Sequence, residues 1–330
     1  MIDVSVPVRI CDNGGWTDTW FGGPGRVLNL AVTPGVEVSI RQVRGAGVVV
    51  LDVTSSGDRY RIVPGAARAA RHPLVEAAVD ELPPPSDLSV EVRVRSAVPV
   101  GCGTGTSAAV AVALLGGLAH VRSERCSLTD VAYGAHRLEV EVLGLESGIQ
   151  DQLSSAFGGI NFLEIDSYPK ATVRRLPNWA ELSDLLTLAF VGRAHDSSEV
   201  HRQVIDRLAT GGSGELGRLR DAAVAARDAV LARDLHAFGQ AMIANTEAQK
   251  TLHPGLVGAD ARRIIQFAAR QGAAGWKVNG AGGDGGSVTI LSVSREAKDA
   301  LELGVAELNP RYELLRTEIS STGLDVRGSL

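Results

Sequence analysis

The fold of this chain is decided by residues 98–110, which read VPVGCGTGTSAAV. Three glycines alternate with other residues and lead into an unbroken apolar helix pattern that we expect to cover residues 107–121. Glycine adopts backbone conformations that a Cβ forbids, and it lets a ligand approach the backbone closely. Because a helix N-terminus presents free N–H groups and a positive dipole end, this stretch predicts a phosphate-binding loop.

Other interpretations of the glycine loop fit less well. A P-loop requires a lysine directly before its Ser or Thr, and residues 101–121 contain no lysine. A dinucleotide fingerprint requires glycine where Thr106 stands, after a fully buried parallel strand. Residues 90–95 instead alternate apolar and charged side chains, as a half-exposed antiparallel strand does. A dinucleotide-binding oxidoreductase and a plain glycine turn before a core helix remain the alternatives.

Composition narrows the class of protein. The 330 residues predict roughly two domains, and the net charge of −5 offers no basic surface for nucleic acid. Cys11, Cys102 and Cys126 lack a C-x-x-C spacing, so neither a disulfide framework nor a zinc site is indicated. The longest apolar run, residues 108–119, is too short to span a bilayer, and the first residues do not form a secretion signal. We therefore expect a cytoplasmic protein without a membrane partner.

The chain divides into a strand-rich first half and a helix-rich second half. Mixed polarity and two prolines in residues 166–184 predict a domain junction near 175–185. In the helix expected at 129–143, Thr129 or Asp130 is the predicted N-cap and Gly144 the stop. Strands are predicted at residues 36–41, 48–53, 89–95, 159–165, 185–191, 276–279 and 287–293, and further helices at 214–234, 235–252 and 259–271.

Three segments together resemble a known family. They are residues 7–18 (PVRICDNGGWTD), the central glycine loop, and residues 277–286 (KVNGAGGDGG). In order and spacing they resemble the three motifs of the GHMP small-molecule kinases, in particular the sugar-kinase branch that includes heptose 7-phosphate kinases. The resemblance covers nearly the whole chain.

The resemblance implies a fold and an activity. It implies an α+β protein with an N-terminal domain like ribosomal protein S5 domain 2 (residues 1–180), a ferredoxin-like C-terminal domain (residues 181–330), and ATP between them. The implied reaction is ATP-dependent phosphorylation of a sugar hydroxyl, most specifically the anomeric C1 hydroxyl of a heptose 7-phosphate. A hexose, uronic acid or cyclitol acceptor is an alternative, as is a non-catalytic sugar sensor on the same scaffold.

The resemblance also assigns site residues. Ser107, at a helix start, offers a hydroxyl to Mg²⁺, and Glu139 falls at the family's metal-binding glutamate; a hard cation prefers such oxygen ligands. Asp151 falls at the family's catalytic aspartate, which accepts or orients the proton of the attacking hydroxyl. The expected nucleotide-binding residues are Gly101, Gly103, Thr104, Gly105, Thr106, Ser107 and Ala108, and the expected substrate-binding residues of the first motif are Gly15, Trp16, Thr17 and Asp18.

Each assignment has a plainer alternative. Asp151 could serve only as a helix N-cap. Glu139 could be a solvated helix residue, and it cannot share a face with Glu141 two positions away. Trp16 and Trp20 either stack on a sugar or fill the core.

Two further positions carry charge near the expected cleft. Asp284 stands among glycines of the third motif, where it would repel phosphates unless it faces away or meets a metal. Arg193 and His195 follow the strand at 185–191. We expect Arg193 to contact a substrate phosphate, because arginine binds phosphate bidentately; a polar surface loop is the alternative.

Overall fold

The computed structural model describes residues 1–66, 70–193, 198–209 and 213–330. Within these residues the chain forms helices together with a nine-stranded and a four-stranded sheet. The α+β class predicted from the sequence is confirmed. In the described part of the chain, no helix is both long and apolar enough to cross a membrane.

The first sheet collects most strands of the first half and two from the C-terminal end. Its strands are β1 (Ile2–Asn13), β2 (Gly25–Val43), β3 (Val49–Val53), β4 (Asp58–Ile62), β5 (Ser89–Ser96), β6 (Ile160–Ser167), β7 (Lys170–Leu176), β12 (Glu318–Ile319) and β13 (Asp325–Gly328). The main order is β13-β1-β2-β5-β3-β4, with β12 and β6 also paired to β2 and β7 paired to β6. Strand β5 runs antiparallel to β2, in register from Val36 opposite Ser96 to Val43 opposite Ser89. The antiparallel prediction for residues 90–95 holds for this pair but not for the other neighbour, because β5 pairs in parallel with β3.

The second sheet is antiparallel and smaller. Its strands are β8 (Leu186–Phe190), β9 (Gly275–Val278), β10 (Ser287–Leu291) and β11 (Glu313–Leu315), in the order β11-β8-β10-β9. The third glycine motif joins β9 to β10, so its loop is a hairpin connection between two buried strands.

Helices cover both sheets. They are α1 (Pro73–Glu81), α2 (Thr106–Val121), α3 (Leu128–Arg137), α4 (Gln150–Phe157), α5 (Ala180–Ser183), α6 (Ser198–Ala209), α7 (Ser213–Ala232), α8 (Leu235–Leu252), α9 (Ala259–Arg270) and α10 (Arg295–Leu308), with a π-helical turn at Leu138–Val142 and a 3-10 turn at Pro254–Leu256. Valine and leucine side chains of the first sheet share one core with α2, α7 and α8. A second core forms where Ile264 of α9 and Leu301 of α10 meet Val288 and Ile290 of β10.

The helix expected at 129–143 differs from the prediction at both ends. Its N-cap is Ser127, not Thr129 or Asp130: the Ser127 hydroxyl accepts from the Asp130 N–H, and the Asp130 carboxylate accepts from the Ser127 N–H. This reciprocal capping box satisfies two N–H groups at once. Regular α-helix ends at Arg137, and the π-helical turn continues to Val142 before Gly144, whose φ is +66°.

The stretch at the predicted domain junction is structured. It contains strand β7 and the short helix α5. The C-terminal strands β12 and β13 return to β2 and β1 of the first sheet. Residues 318–328 therefore complete the sheet that the N-terminus begins.

Candidate active site

The central glycine loop forms one wall of a cavity of about 820 Å³. The φ values of Gly101, Gly103 and Gly105 are +74°, +74° and +70°. Residues with a Cβ rarely adopt such backbone angles. Helix α2 begins directly afterwards, so its unpaired first N–H groups lie at this wall. The lining includes the residues expected to bind nucleotide, metal and acceptor, namely Gly101, Gly103, Thr104, Gly105, Thr106, Ser107, Ala108, Trp16, Asp18, Glu139 and Asp151.

The glycines of this loop are also required by close packing. A Cβ on Gly103 would lie 2.9 Å from the carbonyl oxygen of Asn279, in the third motif. A Cβ on Gly105 would lie 2.9 Å from the carboxyl group of Asp151. The Ser287 hydroxyl donates to the Cys102 carbonyl at 2.7 Å. Part of the reason for glycine here is therefore contact between protein segments, in addition to ligand approach.

Asp151 is held by an arginine that the sequence analysis did not single out. Arg9 Nε donates to Asp151 Oδ1 at 2.7 Å, and Nη2 donates to Oδ2 at 3.1 Å. The N-cap position of α4 belongs to Ile149, so Asp151 lies in the first turn without serving as the cap. The N-cap alternative for Asp151 does not describe this structure.

Arg9 lies in the middle of β1 with 5% of its side chain exposed. Its backbone N–H donates to the Thr104 carbonyl at 3.0 Å, and its Nη1 donates to the Gly103 carbonyl. Burial lowers the pKa of Arg9, but the charges of Asp151 and Asp12 outweigh burial and raise the pKa, so the guanidinium stays charged. A signal was present in the sequence, because an arginine interrupts an otherwise apolar run of strand residues.

Asp18 lies on the same cavity, bound by neutral donors. Its Oδ2 accepts the Gln150 backbone N–H at 3.0 Å, and its Oδ1 accepts the Gln150 side-chain amide at 3.4 Å. Burial raises the pKa of Asp18 to about 6. Two carboxylates, Asp18 and Asp151, are thus brought together by consecutive residues at the start of α4.

The other first-motif residues divide between core and cavity. Thr17 and Gly15 are buried away from the lining, with the Thr17 hydroxyl donating to the Gly14 carbonyl at 2.6 Å. Trp16 is 8% exposed and packs with Val204 in a small hydrophobic cluster, yet part of it reaches the cavity. Trp20 lines the cavity with 46% of its surface exposed. Trp16 therefore lies mostly in the core, and Trp20, which also packs edge-on with Phe21 and Tyr168, is the more exposed of the two.

Glu139 projects inward from the π-helical turn, whereas Glu141 is exposed. Glu139 Oε2 accepts the Gln152 amide at 2.6 Å and the Ser147 hydroxyl at 2.8 Å. Burial, together with the nearby charge of Asp151, raises the pKa of Glu139 to about 7. A neighbouring cation stabilises the ionised form of a buried carboxylate that is otherwise bound only by neutral donors.

The donor set fits a hard divalent cation. Ser107, in the first turn of α2, is exposed to the same cavity and offers a hydroxyl oxygen directly after the loop. Among the described residues, no group of three or more His, Cys, Asp or Glu side chains could hold a metal alone. A magnesium ion here would need further oxygen ligands from water or a phosphate, which is how Mg²⁺ is commonly bound.

The third motif approaches the central loop through its first residues. Gly280 and Ala281 line the cavity, and a Cβ on Gly282 would collide with the Leu256 carbonyl. Asp284 is exposed and is absent from the cavity lining; its Oδ1 lies close to Gly258. The carboxylate of Asp284 therefore faces away from the site.

The structure does not bring Arg193 to the cavity lining. Its guanidinium donates to Asp260 Oδ2 at 2.7 Å, which ties the loop after β8 to helix α9. His195 lies outside the described residues. A different arginine, Arg202 of α6, lines the cavity together with Ile205.

Comparison with known proteins agrees with the fold and the site. Residues 67–159 match the family described as GHMP kinases N terminal domain. The resemblance stated from the three motifs is confirmed.

Individual relatives narrow the comparison. The chain is 26% identical over 161 residues to D-glycero-alpha-D-manno-heptose 7-phosphate kinase of Campylobacter jejuni. This match covers 47% of the chain and 48% of that protein, so it spans about half the length of the curated relative.

Solved structures share the fold over the whole chain. A D-glycero-D-manno-heptose 1-phosphate kinase from Bacteroides thetaiotaomicron has a TM-score of 0.79 at 18% identity, with all of both chains covered. Lactococcus lactis galactokinase complexed with galactose also has a TM-score of 0.79 at 18% identity, covering 98% of this chain and 95% of that one.

Proposed function

We propose that this protein is an ATP-dependent kinase that phosphorylates a sugar hydroxyl. The observation that carries the proposal is the placement of Asp151. Arg9 fixes both of its carboxylate oxygens, and Gly105 packs against it at the start of α2. A proton acceptor therefore lies beside the loop best suited to hold phosphate.

The phosphate side of the cavity is formed by backbone. The N–H groups at the start of α2 and the positive end of its dipole attract the phosphates of ATP. Ser107 and Glu139 would hold Mg²⁺, which when bound neutralises phosphate charge. Such a cation also compensates the buried charge of Glu139.

The acceptor side supplies the nucleophile. Asp18 is placed to accept hydrogen bonds from sugar hydroxyls, and Trp20 offers an exposed ring face to the sugar. The acceptor oxygen forms a bond to the γ-phosphorus while the bond from that phosphorus to ADP breaks. The hydroxyl proton passes to Asp151, which Arg9 holds in one orientation.

The finer substrate assignment is a heptose 7-phosphate, phosphorylated at its anomeric C1 hydroxyl. The similarity to the heptose 7-phosphate kinase of Campylobacter jejuni supports the heptose 7-phosphate as acceptor. For contact with the acceptor's phosphate, Arg202 is better placed than Arg193, because Arg202 and Ile205 lie three residues apart on one helix face and both line the cavity.

We also propose the finer fold description. Residues 1–180 form a domain like ribosomal protein S5 domain 2, and residues 181–330 form a ferredoxin-like domain whose last strands return to the first sheet. The separate antiparallel sheet of residues 186–315, covered by α9 and α10, supports the second part of this description.

A screen for ADP release tests the activity. Free sugars, sugar phosphates and cyclitols are supplied with ATP and Mg²⁺, and Asp151→Asn serves as the inactive control. We expect release with a phosphorylated sugar above its free form, and a rise in acceptor KM for Arg202→Ala but not for Arg193→Ala.

Other results would favour the alternatives. Tight ATP binding without ADP release for any acceptor would favour the sugar sensor. Protection from thermal unfolding by NAD but not by ATP would favour the oxidoreductase. Equal kcat/KM for a sugar and its phosphate would favour a neutral sugar or cyclitol.

A further inference from the structure

Four acidic and basic side chains, beginning with Asp151, lie in a row that leads away from the cavity. Arg9 Nε is 2.7 Å from Asp151 Oδ1, and Arg9 Nη1 is 4.0 Å from Asp12 Oδ1. Lys277 Nζ lies 3.2 Å from the same Asp12 oxygen. The order is therefore Asp151, Arg9, Asp12, Lys277, with acidic and basic side chains in alternation. Burial lowers the pKa of Lys277, and the neighbouring Asp12 carboxylate opposes this and favours the ammonium form. We call these four residues the charge row.

The charge row is buried apart from its Asp151 end. The side chains of Asp12 and Lys277 are 2% and 1% exposed, and that of Arg9 is 5% exposed. The two charges of a buried ion pair attract each other strongly, and a buried charge that loses its partner destabilises the fold. The position of each member therefore depends on the charge of its neighbour.

The charge row also joins the two sheets. Asp12 and Arg9 belong to β1, whereas Lys277 belongs to β9 of the second sheet. Lys277 Nζ donates to Gln249 Oε1 at 3.1 Å and to the Val278 carbonyl. The Gly280 N–H donates to both Asp12 oxygens, at 3.2 Å and 3.1 Å. Lys277 is thus fixed by its own strand and by α8.

Arg9 lies between two carboxylates that compete for it. It makes two hydrogen bonds to Asp151 but stands 4.0 Å from Asp12. Of the two cations near Asp12, Lys277 is the closer, with its Nζ 3.2 Å from Asp12 Oδ1. Without that ammonium group, the only remaining cation of the charge row beside Asp12 is Arg9, and Arg9 would be drawn away from Asp151.

We propose that Lys277 is a positioning residue: by neutralising Asp12, it leaves the Nε and Nη2 groups of Arg9 to orient Asp151. This inference rests on the proposed function, in which Asp151 accepts the proton of the acceptor hydroxyl. Lys277 acts through Asp12 and Arg9 and does not line the cavity itself. The third motif therefore contributes to catalysis through its lysine as well as through its glycines.

The test compares Lys277→Met with the double variant Asp12→Asn/Lys277→Met. Lys277→Met should lower kcat by about 10²-fold, the loss typical of a catalytic group misplaced by about 1 Å, with the KM for ATP little changed. The double variant should have a higher kcat than Lys277→Met, because the neutral amide at position 12 no longer competes for Arg9. A recovery of activity on removing a second native group is not expected of a merely structural lysine.

Control measurements separate positioning from stability. Glu91→Gln removes another carboxylate that is 2% exposed and paired with arginines, and that is absent from the cavity lining. It should lower the unfolding temperature without changing kcat. A kcat of Lys277→Met equal to that of the wild type, or a double variant no faster than Lys277→Met, would overturn the inference.

Folding failure and failure of the proposed function are both covered. If Lys277→Met does not fold, the double variant, which leaves no unpaired charge, is compared with the wild type; a loss as large as that of Asp151→Asn would overturn the inference. Crystal structures give a readout that needs no activity: Arg9 should contact Asp12 in Lys277→Met and Asp151 in the double variant. Arg9 paired with Asp151 in both would overturn the inference even if no acceptor were found.

Discussion

The cavity holds carboxylates of two kinds, one paired with a cation and two bound by neutral donors. Asp151 faces the guanidinium of Arg9, which compensates its charge. Glu139 and Asp18 instead accept hydrogen bonds from neutral groups of Ser147, Gln152 and Gln150, and burial raises their pKa values to about 7 and about 6. The paired carboxylate is suited to hold one orientation through a reaction, whereas the unpaired ones are suited to meet a cation or a sugar hydroxyl.

The largest expected effect belongs to Asp151, the carboxylate that is paired with a cation. Asp151→Asn keeps the size of the side chain but removes the proton acceptor and the charge that Arg9 binds. We expect kcat to fall by about 10²–10⁴-fold, the usual contribution of a general base. Steady-state kinetics with a sugar acceptor measures this loss, and calorimetric titration checks that ATP still binds.

A nearly unchanged kcat in the folded Asp151→Asn protein would show that the paired carboxylate has no greater role in the reaction than the unpaired ones. Loss of a helix cap cannot explain a fall in kcat, because Asn caps helices as well as Asp and the N-cap of α4 is Ile149.

The next effect concerns Asp18, one of the two carboxylates that are bound by neutral donors. Its pKa is raised from 3.8 to about 6, so the folded state binds more protons than the unfolded state between these pH values. The contribution of Asp18 to stability is complete below about pH 4 and is lost as the pH rises through 6. The loss amounts to about 3 kcal/mol.

Asp18→Asn removes this titration. Relative to the wild type, the variant should gain about 3 kcal/mol of unfolding free energy as the pH is raised from 4 to 7. Urea unfolding across that range measures the difference, in which the titration of Glu139 cancels. Parallel pH profiles for both proteins would show that burial does not raise the pKa of Asp18.

Much of the site follows from local sequence, and the reason is physical. The glycine loop and the helix start at Thr106, beside Ser107, depend on residues close in sequence, through glycine conformations and helix periodicity. The metal-binding role of Glu139 follows instead from the family resemblance. The order of the motifs predicts that Ser107, Glu139 and Asp151 share a site, and all three line one cavity.

Pairings between distant segments could not be predicted in the same way. Arg9 meets Asp151 across 142 positions of sequence, and Lys277 meets Asp12 between two sheets. Strands β12 and β13 have two and four residues, too few for a periodic signal, and form because the first sheet offers them edges. These contacts depend on topology, which a single sequence does not display.

A moderate effect is expected for the metal ligands. Ser107→Ala should raise the Mg²⁺ concentration for half-maximal turnover by about fivefold, which corresponds to the ~1 kcal/mol typical of one neutral polar contact. Glu139→Gln should raise it further, because it also removes a charge. Glu141→Gln, on the exposed side of the π-helical turn, is the matched control and should leave the titration unchanged. Coincident titrations for all three variants and the wild type would place the ion elsewhere.

The smallest effect is expected for a carboxylate that lies near the site in sequence but outside it in space. Asp284 belongs to the third glycine motif, yet it is exposed and does not line the cavity. Water and salt screen its charge from the phosphates. Asp284→Asn should therefore change the KM for ATP by no more than about twofold, within the ±0.5 kcal/mol usual for surface substitutions. A drop in that KM of about tenfold would mean that Asp284 repels the nucleotide, and it would place a third uncompensated carboxylate on the cavity beside Glu139 and Asp18.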